Sequence, residues 1–210
     1  MKYNIKDIPI LIPAKGRSIR CPGKNIILLP YMSKYLHSEG LQGVVLSDDS
    51  KVRSIAELYG LKSWEEHRTN KDDNLTACRK YMQNCTEELY FELPLTQPFK
   101  CKGLLQEMLD VMDDDTDFVV TSHIAPDRQI FFVDNNKFII PSKERKGCLC
   151  PEYEMIDGTA YLIRKSFINN VYSNEDFWNG KFKTIVNHAP FLDIDTEEDM
   201  NKFKFICEFN

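Results

Sequence analysis

No apolar run in these 210 residues approaches the length needed to cross a bilayer, which removes a membrane-spanning helix from consideration. The opening MKYNIKDIPILIP has too short an apolar stretch, with charges inside it, to act as a secretory signal. An excess of positive charge is also missing: 27 Lys and Arg stand against 32 Asp and Glu, a net charge of −5. Bulk electrostatics therefore exclude a general binder of nucleic acid or of acidic membranes. The seven cysteines are scattered and form no CxxC pair. Zinc is not expected, and Cys148-Leu149-Cys150 alone is weak evidence for any metal. These absences lead us to expect a cytoplasmic protein with reduced thiols. Repeats, low-complexity tracts and long linkers are lacking too. With 42% hydrophobic residues the chain has enough apolar material for one core, and residues 1–210 read as a single domain.

What the chain does have is a basic loop without a single acid. In IPAKGRSIRCPGKN (residues 12–25) four cations, Lys15, Arg17, Arg20 and Lys24, and two glycines follow the apolar run Ile8-Pro9-Ile10-Leu11-Ile12. That run reads as a buried strand. A strand opening into a basic, glycine-bearing loop suits a polyphosphate, because backbone N–H groups approach closely and cations neutralise the charge. The plain alternative is a solvated basic loop.

Further strands are expected at 43–47, 88–93, 117–122 and 159–163, with the last ones held within 185–194. Helices are expected at 31–38 (after a break at Pro30), 50–59, 76–85 and 102–112. A last helix should open on the Thr196-Glu197-Glu198-Asp199 capping box. Residues 64–74 show no period. Within 123–151 the pattern changes to a β-hairpin, 130–133 against 137–140, followed by basic residues 143–146. The alternation elsewhere implies an α/β fold: a Rossmann-like, mostly parallel sheet with helices on both faces and a small β-hairpin insertion. Ligands of such sheets bind at the carboxyl ends of the strands. That rule gathers the basic loop, Asp48-Asp49, LPLTQPFK (93–100) and LDID (192–195) on one rim.

Four segments in this order resemble the cytidylyltransferases that activate acidic keto-sugars, the CMP-sialic acid (acylneuraminate) synthetase group. IPAKGRSIRCPGKN is similar to the family's N-terminal signature, and VVLSDDSKVRSIAELYGL to its Ser-Thr-Asp strand end and helix. LPLTQPFK resembles its Gln-Pro-Thr-Ser-Pro-Leu-Arg loop. MIDGTAYLIRKSFI with FLDIDTEEDM resembles its Asn-Gly-Ala strand and closing Asp-Ile-Asp-Thr segment. Lys15, Ile19, Asp48, Leu93-Pro94-Leu95, Gln97 and Asp157 depart from the family pattern.

The resemblance implies a glycosyltransferase-A-type nucleotidyltransferase fold. It also implies a reaction in which a sugar's anomeric hydroxyl attacks the α-phosphorus of CTP and releases pyrophosphate. Ala14, Lys15, Gly16, Arg17, Ser18, Arg20, Lys24, Asn25 and Thr76 would then contact the nucleotide, with Arg68 and Arg79 looser candidates. Lys24 and Asp195 would be catalytic. Thr96, Gln97, Asp157 and Arg145 would contact the acidic sugar, and the 123–151 insertion would mediate a homodimer. Asp193 and Asp195, two apart on an expected strand end, would share one side and suit Mg²⁺ or Mn²⁺. Asp49 is a further ligand candidate or an N-cap. Two other readings stay open: a nucleotidyltransferase for a sugar phosphate or another NTP, and a non-catalytic nucleotide-binding module.

Overall fold

The computed structural model describes residues 3–67, 73–126, 132–134, 137–139 and 152–208. Strand β1 (Ile10–Pro13) turns Ile10 and Ile12 into one apolar core and Leu11 into another, as the two-residue period of a strand requires. It pairs in parallel with β2 (Val44–Ser47) on one side and β4 (Leu89–Glu92) on the other. Strand β3 (Lys62–Glu65) extends the sheet beyond β2. β5 (Phe118–Pro126) and β9 (Phe182–Val186) run parallel to each other, and the long β8 (Glu152–Arg164) lies antiparallel between β4 and β5. The order is β3-β2-β1-β4-β8-β5-β9. The expected α/β sheet is present, with one antiparallel strand at its middle.

Helices cover both faces. Against Ile10, Ile12 and Phe91 pack α1 (Lys24–Ser38), α2 (Ser50–Leu58), α4 (Leu104–Val111) and α7 (Glu197–Glu208). Against Leu11, Tyr90 and Phe118 pack α3 (Asn74–Met82), α5 (Lys165–Ile168) and α6 (Asn174–Trp178). The predicted hairpin is formed by β6 (Phe132–Asp134) and β7 (Lys137–Ile139), paired antiparallel with Val133 opposite Phe138. Arg145, Lys146 and the Cys148–Cys150 pair lie outside the described residues, as does Arg68. No helix among the described residues is long and apolar enough to cross a membrane.

Three expectations need correction, and two short helices went unforeseen. Pro30 does not break the first helix: α1 runs through it for 15 residues. Leu28, Leu29, Met32 and Leu36 form one buried stripe across the proline, and that packing outweighs the missing hydrogen bond. Residues 62–65, read partly as irregular, are the edge strand β3, where one neighbour supplies the pairing and Trp64 packs edge-on against Tyr81 at 5.6 Å. The short α5 and α6 show too few residues for a period. Finally, β9 begins at Phe182 and ends at Val186, so no strand carries residues 191–195.

Candidate active site

The carboxyl ends of β1, β2 and β4 open on the same rim, and the basic loop leaves β1 there. Its first contact is with the β2–α2 turn. The Gly16 N–H donates to Asp48 Oδ1 at 2.7 Å, and a Cβ on Gly16 would lie 2.4 Å from the Asp49 Cβ. Gly16 is therefore small because the loop presses on Asp48-Asp49, and its amide is already engaged rather than free for phosphate. Asp49 is the N-cap of α2, accepting from the N–H groups of Lys51 and Val52. Ser18 Oγ accepts from the Cys21 N–H, and Asn25 Nδ2 donates to the Lys15 carbonyl at 2.6 Å. Ala14 is buried, its N–H donating to the Leu46 carbonyl. The loop is thus braced by its own polar groups, leaving Lys15, Arg17 and Arg20 to face outward.

The chain turns left-handed at Gly23 (φ 76°) and enters α1 with Lys24. Lys24 is only 8% exposed, and its Nζ donates to the Ile194 carbonyl at 2.6 Å and to Asp195 Oδ1 at 3.0 Å. Arg20 Nη2 donates to the other carboxylate oxygen, Asp195 Oδ2, at 2.8 Å. One carboxylate therefore holds the loop cation and the helix cation together. Ile194 is fully buried, and its N–H donates to the Thr96 carbonyl at 2.9 Å. These bonds, from the 93–100 loop and from Lys24, take the place of strand pairing at 193–195.

Asp193 and Asp195 flank Ile194. Burial pushes the Asp193 carboxyl up, a hydrogen bond from Thr96 opposes this, and the neighbouring Asp195 charge adds to the rise. Among the described residues no group of three or more His, Cys, Asp or Glu gathers as a ready cation cage. Of the two carboxylates only Asp195 lines the cleft described below, and Asp193 stands two residues before it; such a pair is chemically suited to magnesium, which takes few protein ligands and completes its shell with phosphate oxygens and water.

A cleft of about 730 Å³ lies over this constellation. Lys15, Arg17, Ser18, Arg20, Lys24, Asn25, Thr96 and Asp195 line it. Its opposite wall is Asp73, Asn74 and Leu75 at the start of α3, with Pro94 and Leu95 below. Thr76 sits one residue further into α3 and does not line the cleft; its N–H donates to the Asp73 cap. Arg79 also departs from expectation, since its guanidinium donates to the carbonyls of Ile168 and Val171 and anchors α5. Asp73 and Asn74 escaped the sequence reading, although an Asp-Asn pair ahead of a helix is a visible cap signal.

Gln97 and Asp157 sit deeper. Gln97 Nε2 donates to the Asp157 carbonyl at 2.8 Å, while Gln97 Oε1 is buried without a hydrogen-bond partner. Asp157 Oδ1 accepts from Thr121 Oγ1 at 2.5 Å and from the Thr159 N–H at 2.8 Å. Asp157 thus braces the bend of β8 rather than lining the cleft. Gly158 follows at φ 66°, and a Cβ there would lie 2.4 Å from the Tyr161 hydroxyl. Glycine is required twice over, by the turn and by the ring. Lys100, also unforeseen, donates to the Gln97 carbonyl at 2.5 Å.

Fold and rim together define the α/β nucleotidyltransferase fold. No protein-family model matches the chain, and no curated protein matches it in sequence. Solved structures do. CMP:2-keto-3-deoxy-manno-octonic acid synthetase complexed with CTP matches with a TM-score of 0.73 at 16% identity, over 96% of this chain and 98% of that one. 4-Diphosphocytidyl-2C-methyl-D-erythritol synthase from Anaerococcus prevotii matches at 0.65 and 13% identity, over 98% and 100%. HddC from Yersinia pseudotuberculosis complexed with GMP-PN matches at 0.64 and 16% identity, over 94% and 99%.

Proposed function

We propose that this protein is a cytidylyltransferase that moves CMP from CTP to the anomeric hydroxyl of an acidic keto-sugar of the sialic acid type. The observation that carries the reading is the Asp195 carboxylate clamped between Arg20 and Lys24 at the floor of the cleft. Two further cations, Lys15 and Arg17, line the same cleft and are available to a triphosphate, and Asp193 and Asp195 are the carboxylates that would meet its α-phosphate through a divalent ion.

In the reaction the anomeric oxygen bonds to the α-phosphorus as the bond to the bridging β-phosphate oxygen breaks. Pyrophosphate leaves with that electron pair, and the hydroxyl proton passes to solvent. Such a displacement needs alignment and charge neutralisation more than covalent help. Lys15, Arg17 and Arg20 draw the phosphates in. Lys24, fixed by Ile194 and Asp195, holds charge at one place throughout. Mg²⁺ or Mn²⁺ held by Asp193 and Asp195 would polarise the phosphate and lower the pKa of the attacking hydroxyl.

A nucleotidyltransferase for another NTP or for a sugar phosphate is the second reading. It draws on the range of chemistry named for the structural neighbours, from CTP to GMP-PN. Pyrophosphate release from CTP, UTP, ATP and GTP, each with keto-acid sugars or with sugar phosphates and with or without Mg²⁺, separates the two. CTP with a keto-acid sugar should give the fastest release. Equal use of UTP and CTP, or turnover with a sugar phosphate alone, would replace the first reading by the second.

A further inference from the structure

Strand β5 outruns its neighbours. Val120 lies level with Glu92, the last residue of β4, across Tyr161, and Ser122 stands opposite Val186, where β9 ends. His123 therefore projects from the same carboxyl rim that carries the basic loop. Its imidazole stacks on Phe191 at 4.5 Å with the ring planes 8° apart, and Phe191 is two residues before Asp193. Behind the ring, Nδ1 lies 3.9 Å from Oδ2 of Asp157, whose side chain is only 1% exposed. Both atoms are buried, and neither has a hydrogen-bond partner. The other oxygen of that carboxylate is fixed by Thr121 Oγ1 and the Thr159 N–H, which keeps Oδ2 aimed at the ring. Lys100, the other charge near Asp157, donates to the Gln97 carbonyl.

A stacked histidine packs equally well without a buried acid behind it, and a carboxylate oxygen held dry and unpaired is costly. The arrangement has a chemical use instead. Asp157 accepts the Nδ1 proton, which leaves the lone pair on Nε2, across the ring. A gap of 3.9 Å is longer than a hydrogen bond, but the bond between a base and its orienting group commonly tightens only when substrate is seated. The direction of the reaction puts the acceptor on this side. Pyrophosphate leaves toward Lys15, Arg17 and Arg20, so an in-line displacement brings the attacking oxygen from the opposite side of the α-phosphorus. From the basic loop the rim runs through Asp195 and Asp193 to Phe191 and His123.

Building on the cytidylyltransferase reading, we propose that His123 is the base that takes the proton of the acceptor's attacking hydroxyl, with Asp157 as its positioning residue. The proton moves to the Nε2 lone pair, and the electron pair freed on oxygen forms the bond to the α-phosphorus. The bond to the bridging oxygen breaks with its pair going to pyrophosphate, and the imidazolium, paired with Asp157, then returns its proton to solvent. Pyrophosphate release is measured with saturating CTP, Mg²⁺ and the keto-acid sugar that the parent uses fastest. His123→Ala should lower kcat by about 10²-fold or more, while CTP affinity, read by calorimetry, stays at the parent level. Added imidazole should restore at least about tenfold of that loss. Should His123→Ala fold poorly, Asp157→Asn keeps the bonds to Thr121 and Thr159 but turns an amide N–H toward Nδ1. The proton is then forced onto Nε2, and kcat should fall by a similar factor without rescue by imidazole. Parent-like turnover in Asp157→Asn or His123→Ala, or a loss in His123→Ala that imidazole leaves unrepaired, overturns the assignment while the transferase reading stands. No release by the parent from CTP with any keto-acid sugar removes that reading, and the base with it.

Discussion

Lys100 carries the strongest perturbation that leaves a measurable trace. Burial pushes its ammonium down to about 7 from an ordinary 10.5, against the opposing charge of Asp157. Below pH 7 folded and unfolded chains both hold the proton, and the folded state bears the full penalty of a buried charge. Between about 7 and 10.5 the unfolded chain holds more protons, so this group makes stability rise with pH. Lys100→Met should therefore be more stable than the parent at pH 6, and the gap should close as pH approaches 9. Urea midpoints at pH 6, 7.5 and 9 measure it. A gap that stays constant would mean the ammonium is solvated. Nothing in LPLTQPFK marks this lysine out, because its burial comes from the loop folding over β8, not from its neighbours in sequence.

At the level of elements, α1 offers the sharpest test. Pro30 sits in its second turn and leaves the Ile26 carbonyl without its usual N–H partner. Pro30→Ala should raise stability by about 1 kcal/mol or more, read as a thermal midpoint higher by roughly 2–4 °C. A lower midpoint would show that the half-buried ring packs better than it breaks. The elements that could be read from sequence are those with a local signature. β1, α2 and α4 show their period, and the α7 capping box forms as expected, Thr196 Oγ1 accepting from the Asp199 N–H at 3.2 Å. What escaped was decided by distant partners. The antiparallel direction of β8 and the pairing of edge strand β3 are set across the sheet. The extended 193–195 segment is held by Thr96 and Lys24, so its two aspartates could be found in the sequence although its geometry could not.

For the whole molecule, the cleft sets four cations, Lys15, Arg17, Arg20 and Lys24, against the carboxylates of Asp195 and Asp73. A triphosphate entering it competes with Asp195 for Arg20, whose side chain is 69% exposed and free to move, while the buried Lys24 stays in place. Asp195→Asn keeps the size of the side chain but releases both cations and removes one of the two acids suited to a divalent ion. Turnover should fall by about 10²-fold or more, with CTP still bound by the basic loop. EDTA should have the same effect on the parent protein. Pyrophosphate release and CTP calorimetry together check this; full turnover in EDTA would leave the cations acting alone. The same clamp joins residues 171 and 175 positions apart in the chain. At ~5–20 residues per second on a ribosome, Lys24 is made roughly 10–30 s before its partner exists. For all that time Arg20 and Lys24 stand without the carboxylate that later clamps them, so the closure of this rim belongs to the end of synthesis and not to its beginning.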